Sequence, residues 1–205
     1  MLNEKLILQR FLDESDIEGV YEKLQKYSQM VFYWTNRFNL VGQNEKEHFF
    51  QRHICDILPV LEKYPIQETV LDFGTGGGIP GIPLAIFRPD IKVRLNDINS
   101  KKVIFLKKCK FELELKNVEV FEGDFNLLEL ENYKNIISRA VTQIHKISEN
   151  ILKKMSEESR LIYMKNICLE NEEELWLEKH PDNIDLDEKY KAIDGMERRL
   201  IVLKP

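Results

Sequence analysis

Val70-Leu71-Asp72-Phe73-Gly74-Thr75-Gly76-Gly77-Gly78-Ile79-Pro80-Gly81 takes a short apolar run straight into five glycines within eight residues. This pattern reads as a strand, a tight turn and the start of a helix. Glycine lets a backbone turn sharply and lie close to a ligand. In open α/β sheets, ligands settle in the crevice at the carboxyl ends of the strands. Three ligands compete for such a turn. A P-loop requires Gly-Lys-Ser/Thr after its glycines, and no lysine occurs in this stretch. A dinucleotide turn requires G-x-G-x-x-G. Counted from Gly74 the third glycine falls on Ile79, but counted from Gly76 the register fits through Gly78 and Gly81, so spacing leaves this reading open. S-adenosylmethionine is favoured by Asp72 at the strand end. A carboxylate there attracts a cationic ligand and repels a pyrophosphate. Asp97, ending the next apolar run, can accept both hydroxyls of a ribose, which suits either adenosine-bearing ligand.

Around this turn, short apolar runs alternate with helical stretches, the signature of a mostly parallel sheet. The pattern predicts strands at Thr69–Phe73, Lys92–Asp97, Val118–Glu122, Asn135–Arg139, Ser159–Met164, Ile184–Ala192 and Glu197–Leu203. It predicts helices at Pro80–Phe87, Lys101–Glu112, Gln143–Met155 and Glu170–Lys179. The expected fold is α/β, a Rossmann-like seven-stranded sheet over residues 66–205 ending in an antiparallel hairpin that turns at Asp194-Gly195. Residues 1–65 read as an N-terminal helical extension. Leu6, Leu8, Phe11 and Leu12 mark a first helix, and Val20, Leu24, Tyr27, Met30, Val31 and Trp34 a second, with a third over His48–Leu61. The connection near Tyr64–Gln67 is too short for a flexible linker.

The chain has 205 residues, enough for one compact domain plus an extension. Hydrophobic residues make up 43% and charged residues 32%, which excludes a disordered tail. No apolar run approaches the roughly 20 residues of a membrane helix. The first residues carry no basic segment or cleavage pattern of a signal peptide. Cys55, Cys109 and Cys168 are too scattered for a disulfide framework or a zinc motif, so a reducing cytoplasm and no metal are expected. With a net charge of −5, contact with nucleic acid requires a local basic surface. Lys101, Lys102, Lys107, Lys108 and Lys110 supply a candidate, whereas the acidic run Glu170–Glu174 is expected to be a solvated face that repels RNA. Oligomeric state is left open, a monomer being the simplest expectation.

A closer resemblance extends from the turn. Gly74-Thr75-Gly76-Gly77-Gly78-Ile79-Pro80-Gly81-Ile82-Pro83-Leu84-Ala85 resembles the first motif of the bacterial small-subunit rRNA guanine-N7 methyltransferases, the RsmG (GidB) family. Its Pro-Gly-Ile-Pro tail is unusual among methyltransferases. Trp34-Thr35-Asn36-Arg37-Phe38-Asn39-Leu40, Arg52-His53-Ile54-Cys55-Asp56, Ile137-Ser138-Arg139-Ala140, Tyr163-Met164-Lys165 and Glu197-Arg198-Arg199-Leu200-Ile201-Val202 are similar to further blocks of that family. The departures are Val41 and Ile57 where Thr or Ser is frequent, and Asp124-Phe125-Asn126 where Arg-x-Glu is usual. The resemblance implies S-adenosylmethionine as cofactor, held by Asp72, Gly74, Thr75, Gly76, Gly78, Ile79, Asp97, Asp124, Phe125 and Arg139. It also implies methyl transfer to N7 of a guanine at about position 527 of 16S rRNA, within the 30S subunit.

Guanine N7 carries a free lone pair and no proton, so the chemistry needs positioning rather than a general base. Arg139, ending a central strand beside the crevice, is the first candidate for the catalytic and substrate side, since arginine can bind guanine O6 or a phosphate. Arg52, His53, Lys165 and Arg198 are further substrate candidates. Arg52 and His53, with Asp56, share one helical face that can fasten the extension to the rim of the site, a purpose Asn39 could also serve. Phe32, Tyr33 and Trp34 read as core. Two other functions compete: a small-molecule methyltransferase whose N-terminal helices form a lid, and a non-catalytic nucleotide-binding module.

Overall fold

The computed structural model describes residues 4–38, 40–42, 45, 47–139 and 143–205; Asn39 and Ala140 lie outside the described residues. Seven strands form one sheet: β1 (Thr69–Phe73), β2 (Lys92–Asp97), β3 (Val118–Glu122), β4 (Asn135–Arg139), β5 (Arg160–Asn166), β6 (Ile184–Lys191) and β7 (Glu197–Leu203). Their order is β3-β2-β1-β4-β5-β7-β6. The first five are parallel, and β7 runs antiparallel to both β5 and β6. The predicted hairpin turn is present, with Gly195 at φ 84°. The Gly195 amide donates to the Ala192 carbonyl at 2.9 Å.

The central strands β1, β4, β5 and β7 carry apolar runs because both faces of the sheet are covered there, whereas the edge strands β3 and β6 alternate apolar and charged residues. Val70, Ile137, Ile162, Leu200 and Val202 face one core. Their neighbours Leu71, Ile136, Leu161, Ile201 and Leu203 face the other. The period of two in a strand sorts them this way. The first core is shared with the N-terminal helices α1 (Glu4–Leu8) and α2 (Glu14–Phe38), and with α3 (Leu58–Lys63), α4 (Gly81–Phe87) and α5 (Ser100–Glu112). The second is closed by α6 (Ile144–Leu152) and α7 (Asn171–Lys179). The extension thus completes the same core as the sheet: Leu24, Tyr27 and Val31 of α2 are fully buried.

The expected third helix is not a regular one. Phe50–Ile54 forms a π turn and Cys55–Ile57 a 3-10 turn before α3 begins. Pro59 lies inside the expected helix and has no amide to donate to the carbonyl four residues back, which breaks the helical ladder. Among the three aromatic residues assigned to the core, Phe32 and Trp34 pack against it, but Tyr33 is 62% exposed. It lies on the solvent side of α2, beside the Arg37 guanidinium at 5.2 Å from its ring.

The first turn of α4 sits unusually close to β1 and β2. A Cβ at Gly81 would lie 2.3 Å from Leu95 Cδ2 and 2.6 Å from Asp72 Oδ2. Gly81→Ala should therefore destabilise the protein by about 1–3 kcal/mol, the usual cost of overpacking a close-packed interior. Thermal or urea unfolding checks this, and a variant as stable as the parent would show that α4 can move away from the sheet.

Candidate active site

The strand order reverses between β1 and β4, which places a crevice above their carboxyl ends. The glycine turn forms its floor. Gly74 and Gly76 adopt φ 63° and 60°, a region that side chains with a Cβ avoid. Two acids fix the turn from opposite sides. Asp97 Oδ2 accepts from the Gly76 amide at 2.9 Å and its Oδ1 from the Asn99 amide at 2.9 Å. Asp72 Oδ2 accepts from Thr75 Oγ1 at 2.5 Å and from the Gly81 amide at 2.8 Å. Asp72 is only 1% exposed, and loss of water pushes its carboxyl up to about 7, against the opposing pull of the Thr75 and Gly81 hydrogen bonds.

The resulting cavity has a volume of about 890 Å³. Of the residues expected to hold a cofactor, Gly74, Thr75, Gly76, Ile79, Asp97, Asp124, Phe125 and Arg139 line it. Asp72 and Gly78 do not. Asp72 lies beneath the turn, and its Oδ2 shapes the floor through the Thr75 and Gly81 bonds. Gly78 serves packing: a Cβ there would lie 2.6 Å from Ile82 Cδ1. Phe125 packs beside Phe73 at 5.1 Å between ring centres and gives one apolar wall. Asp124 is exposed and caps the following turn, its Oδ1 accepting from the Asn126 amide at 2.9 Å. The sequence reading missed several lining residues, among them Leu40, Val41, Glu45, Ile98 and Lys102. Glu45 carries no sequence signal of its own; its carboxylate meets Arg52 and His53, seven and eight residues onward.

His53 reaches the cavity wall, with Nε2 at 3.2 Å from Glu45 Oε2. Burial, then the nearby Arg139 charge, lowers its pKa, so the ring is neutral at pH 7. Burial pulls the Glu45 carboxyl upward, but the hydrogen bonds from His53 and Arg52 outweigh it and leave it below the ordinary range.

Arg139 lies at the boundary of this cavity and a second one of about 270 Å³, which Lys165 and Arg198 also line. Its Nε is 3.2 Å from Asp56 Oδ2, and its Nη2 donates to the Arg52 carbonyl at 2.9 Å. Arg198 pairs with Asp194 at 3.2 Å, and Arg52 Nε is 3.6 Å from the same Asp194 oxygen. The expected substrate residues are thus brought together, with Arg52 at the rim, in a charge network that joins the extension, β4 and the terminal hairpin. The acidic run corrects one expectation. Glu173 is 4% exposed; it pairs with Lys165 at 2.7 Å and accepts from the Ile144 amide at 2.8 Å. It therefore anchors α6 and α7 to β5.

The positive-φ glycines, Gly76 at the cavity floor, the Asp97 carboxylate at the end of β2 and the Phe125 wall fit an adenosyl ligand. Fold and crevice together define an S-adenosylmethionine-dependent methyltransferase. A solved S-adenosylmethionine-dependent methyltransferase from Aquifex aeolicus shares the fold with a TM-score of 0.54 at 20% identity, covering 76% of this chain and 92% of that one. The model of the family described as rRNA small subunit methyltransferase G matches residues 20–198, and the chain belongs to that family. Ribosomal RNA small subunit methyltransferase G of Brachyspira hyodysenteriae is 34% identical over 190 residues, 91% of each chain. Its counterpart in Chromobacterium violaceum is 33% identical over 151 residues, covering 73% of this chain and 72% of that protein.

Two outcomes follow from the turn. Gly76→Val forces a β-branched residue to φ 60° at the cavity floor and should weaken S-adenosylhomocysteine binding at least about tenfold, read by calorimetry. Unchanged affinity would move the ligand elsewhere. The raised Asp72 pKa also fixes a sign. The folded protein holds this proton above the pH at which the unfolded chain releases it, so the contribution to stability is full below about pH 4. It is lost as pH rises toward about 7. Asp72→Asn should flatten that part of the melting-temperature profile in the ligand-free protein; an unchanged slope would assign the pH dependence to other groups.

Proposed function

We propose that this protein transfers a methyl group from S-adenosylmethionine to N7 of a guanine in 16S rRNA, in the loop at about position 527. The observation that carries this reading is the placement of Arg139 at the end of β4, where the cofactor crevice meets the second cavity. The cofactor supplies an electrophilic methyl on a sulfonium. The N7 lone pair forms the new N–C bond as the S–C bond breaks, and the electron pair stays on sulfur. No proton leaves N7, so no general base is required. A neutral His53 and a Glu45 carboxylate occupied by two hydrogen bonds are compatible with that chemistry. The task left to the protein is orientation, which can contribute several kcal/mol. Arg139 holds the guanine by O6 or by its phosphate, since a bond to N7 itself would block attack. The transfer leaves a cationic ring, which the Glu45 carboxylate on the cavity wall stabilises.

RNA reaches this site through local charge. On α5, Lys101, Lys107 and Lys108 are exposed on a face that starts beside the crevice. Affinity built on a few such contacts falls steeply with salt. Residues 66–205 act as the methyltransferase domain and residues 1–65 as an extension that completes the rim. The protein acts in the cytoplasm, as a monomer, on 16S rRNA, free or within the 30S subunit. An unpaired guanine is the expected target, because N7 of a paired one lies in a deep, narrow groove.

Mass spectrometry of digested 16S rRNA from a strain lacking the protein should show one N7-methylguanosine missing. Its presence there, with a metabolite unmethylated instead, would replace this reading with the small-molecule one. Arg139→Lys keeps a charge beside Asp56 but loses the planar fork. It should lower methyl transfer about 100-fold while S-adenosylhomocysteine affinity stays within about twofold, as expected for an interaction made on the substrate side. A parallel loss of cofactor affinity would assign Arg139 to the cofactor.

A further inference from the structure

The second cavity differs in character from a phosphate site. Among the described residues its lining carries three cations, Arg139, Lys165 and Arg198, and three carboxylates, Asp56, Glu170 and Glu173. A lining with no net charge suits a neutral ring that both donates and accepts hydrogen bonds; an anion would meet the carboxylates. The volume of about 270 Å³ lies below the roughly 300 Å³ at which pockets for drug-sized ligands begin, and is the scale of a single base. One polar atom in this wall is unsatisfied. Asp56 is 2% exposed, its Oδ2 is taken by Arg139, and its Oδ1 has no hydrogen-bond partner among the described residues. Arg198 Nε lies 3.9 Å from that oxygen, beyond hydrogen-bond distance. A buried carboxylate oxygen without a partner is costly, and a ligand that donates to it recovers that cost. Burial accordingly pushes the Asp56 carboxyl above its ordinary range, against the pull of Arg139 and Arg198.

We propose that this cavity is the base-reading pocket and that Asp56 Oδ1 accepts from the N1–H and N2 amino edge of the target guanine while Arg139 donates to O6. The assignment rests on the rRNA reading above and adds what selects the base. Guanine presents two adjacent donors to a carboxylate and an acceptor to the neighbouring arginine. Adenine presents an acceptor at N1 and a donor at C6, which reverses both contacts. Holding guanine by this edge leaves N7 on the side of the ring away from Asp56. Because Arg139 belongs to both cavities, the base is held at the border of the cofactor crevice.

The experiment uses the full-length protein saturated with S-adenosylhomocysteine and three labelled RNA hairpins, identical except for guanine, inosine or adenine at one loop position. Phosphate contacts are common to all three, so the affinity ratios isolate the base. Guanine should bind more tightly than inosine, which lacks the N2 amine, and about tenfold or more above adenine, the range of a good two-point base contact. In Asp56→Asn the amide replaces an oxygen with a donor, and the preference for guanine over inosine should vanish, a coupling that general loosening of the fold would not give. Cofactor affinity and melting temperature of that variant report its folding. If it does not fold, the three RNAs bound to the parent protein still decide the matter. Equal affinity for the three RNAs, or a guanine preference kept in Asp56→Asn, overturns the pocket while leaving rRNA methylation standing. Failure of the parent protein to bind or methylate rRNA overturns the wider reading and this inference with it.

Discussion

The geometry of the site depends on a carboxylate that has lost its water. Asp72 ends β1 beneath the glycine turn, and one of its oxygens gathers the Thr75 hydroxyl and the first amide of α4. Those two bonds tie strand, turn and helix into one piece. The absence of a side chain at Gly81 lets α4 approach closely enough for its amide to reach that oxygen. Asp97 then closes the turn from the neighbouring strand through the Gly76 amide. The cavity floor is therefore rigid before any ligand arrives, which is what a reaction governed by alignment requires.

The second organising element is the row of ion pairs from Glu45 through Arg52, Asp194, Arg198 and Asp56 to Arg139. It joins three parts of the chain that lie far apart in sequence. Pairs of this kind are poor sources of stability when exposed but strict about geometry when buried, since losing one partner of a buried pair costs about 3–5 kcal/mol. Asp56, at 2% exposure, is the buried member on which the arginines converge. The extension thus has a reason to exist beyond covering apolar surface: it brings His53 to the wall of the cofactor crevice and Asp56 to the wall of the second cavity.

Much of this was legible in the sequence because two-sided burial writes itself as short apolar runs. β1 to β4 and β7 fall where those runs fall, and the Asp194-Gly195 turn was marked by its glycine. The misreadings have physical causes. Pro59 was overlooked inside an apolar periodicity that otherwise fits a helix, and the chain answered with π and 3-10 turns. Asp72 at a strand end reads as a ligand contact, and the close approach of α4 adds that its Oδ2 holds the turn. Glu173 sits in an acidic run that reads as solvated, yet Lys165 of β5, eight residues before it, draws it inside. Glu45 carried no local motif; its partners lie two helical turns onward in an irregular segment, a pairing that periodicity over a regular helix does not weigh.

The order of the last three strands has a consequence for how the molecule comes together. β7 lies between β5 and β6, so β6 pairs with nothing else in the sheet. Until residues 197–203 are made and inserted, β6 is an unpaired strand and Met164 and Tyr163 of β5 lack their neighbours Leu200 and Ile201. The same insertion carries Arg198 to Asp56. The glycine turn, by contrast, uses only residues made in the first half of the chain. During synthesis the two halves of the site therefore mature at different times, the floor of the crevice early and the wall around Asp56 last. Holding a small ligand still waits for Gly123, Phe125 and Arg139, and the wall around Asp56 waits for Arg198.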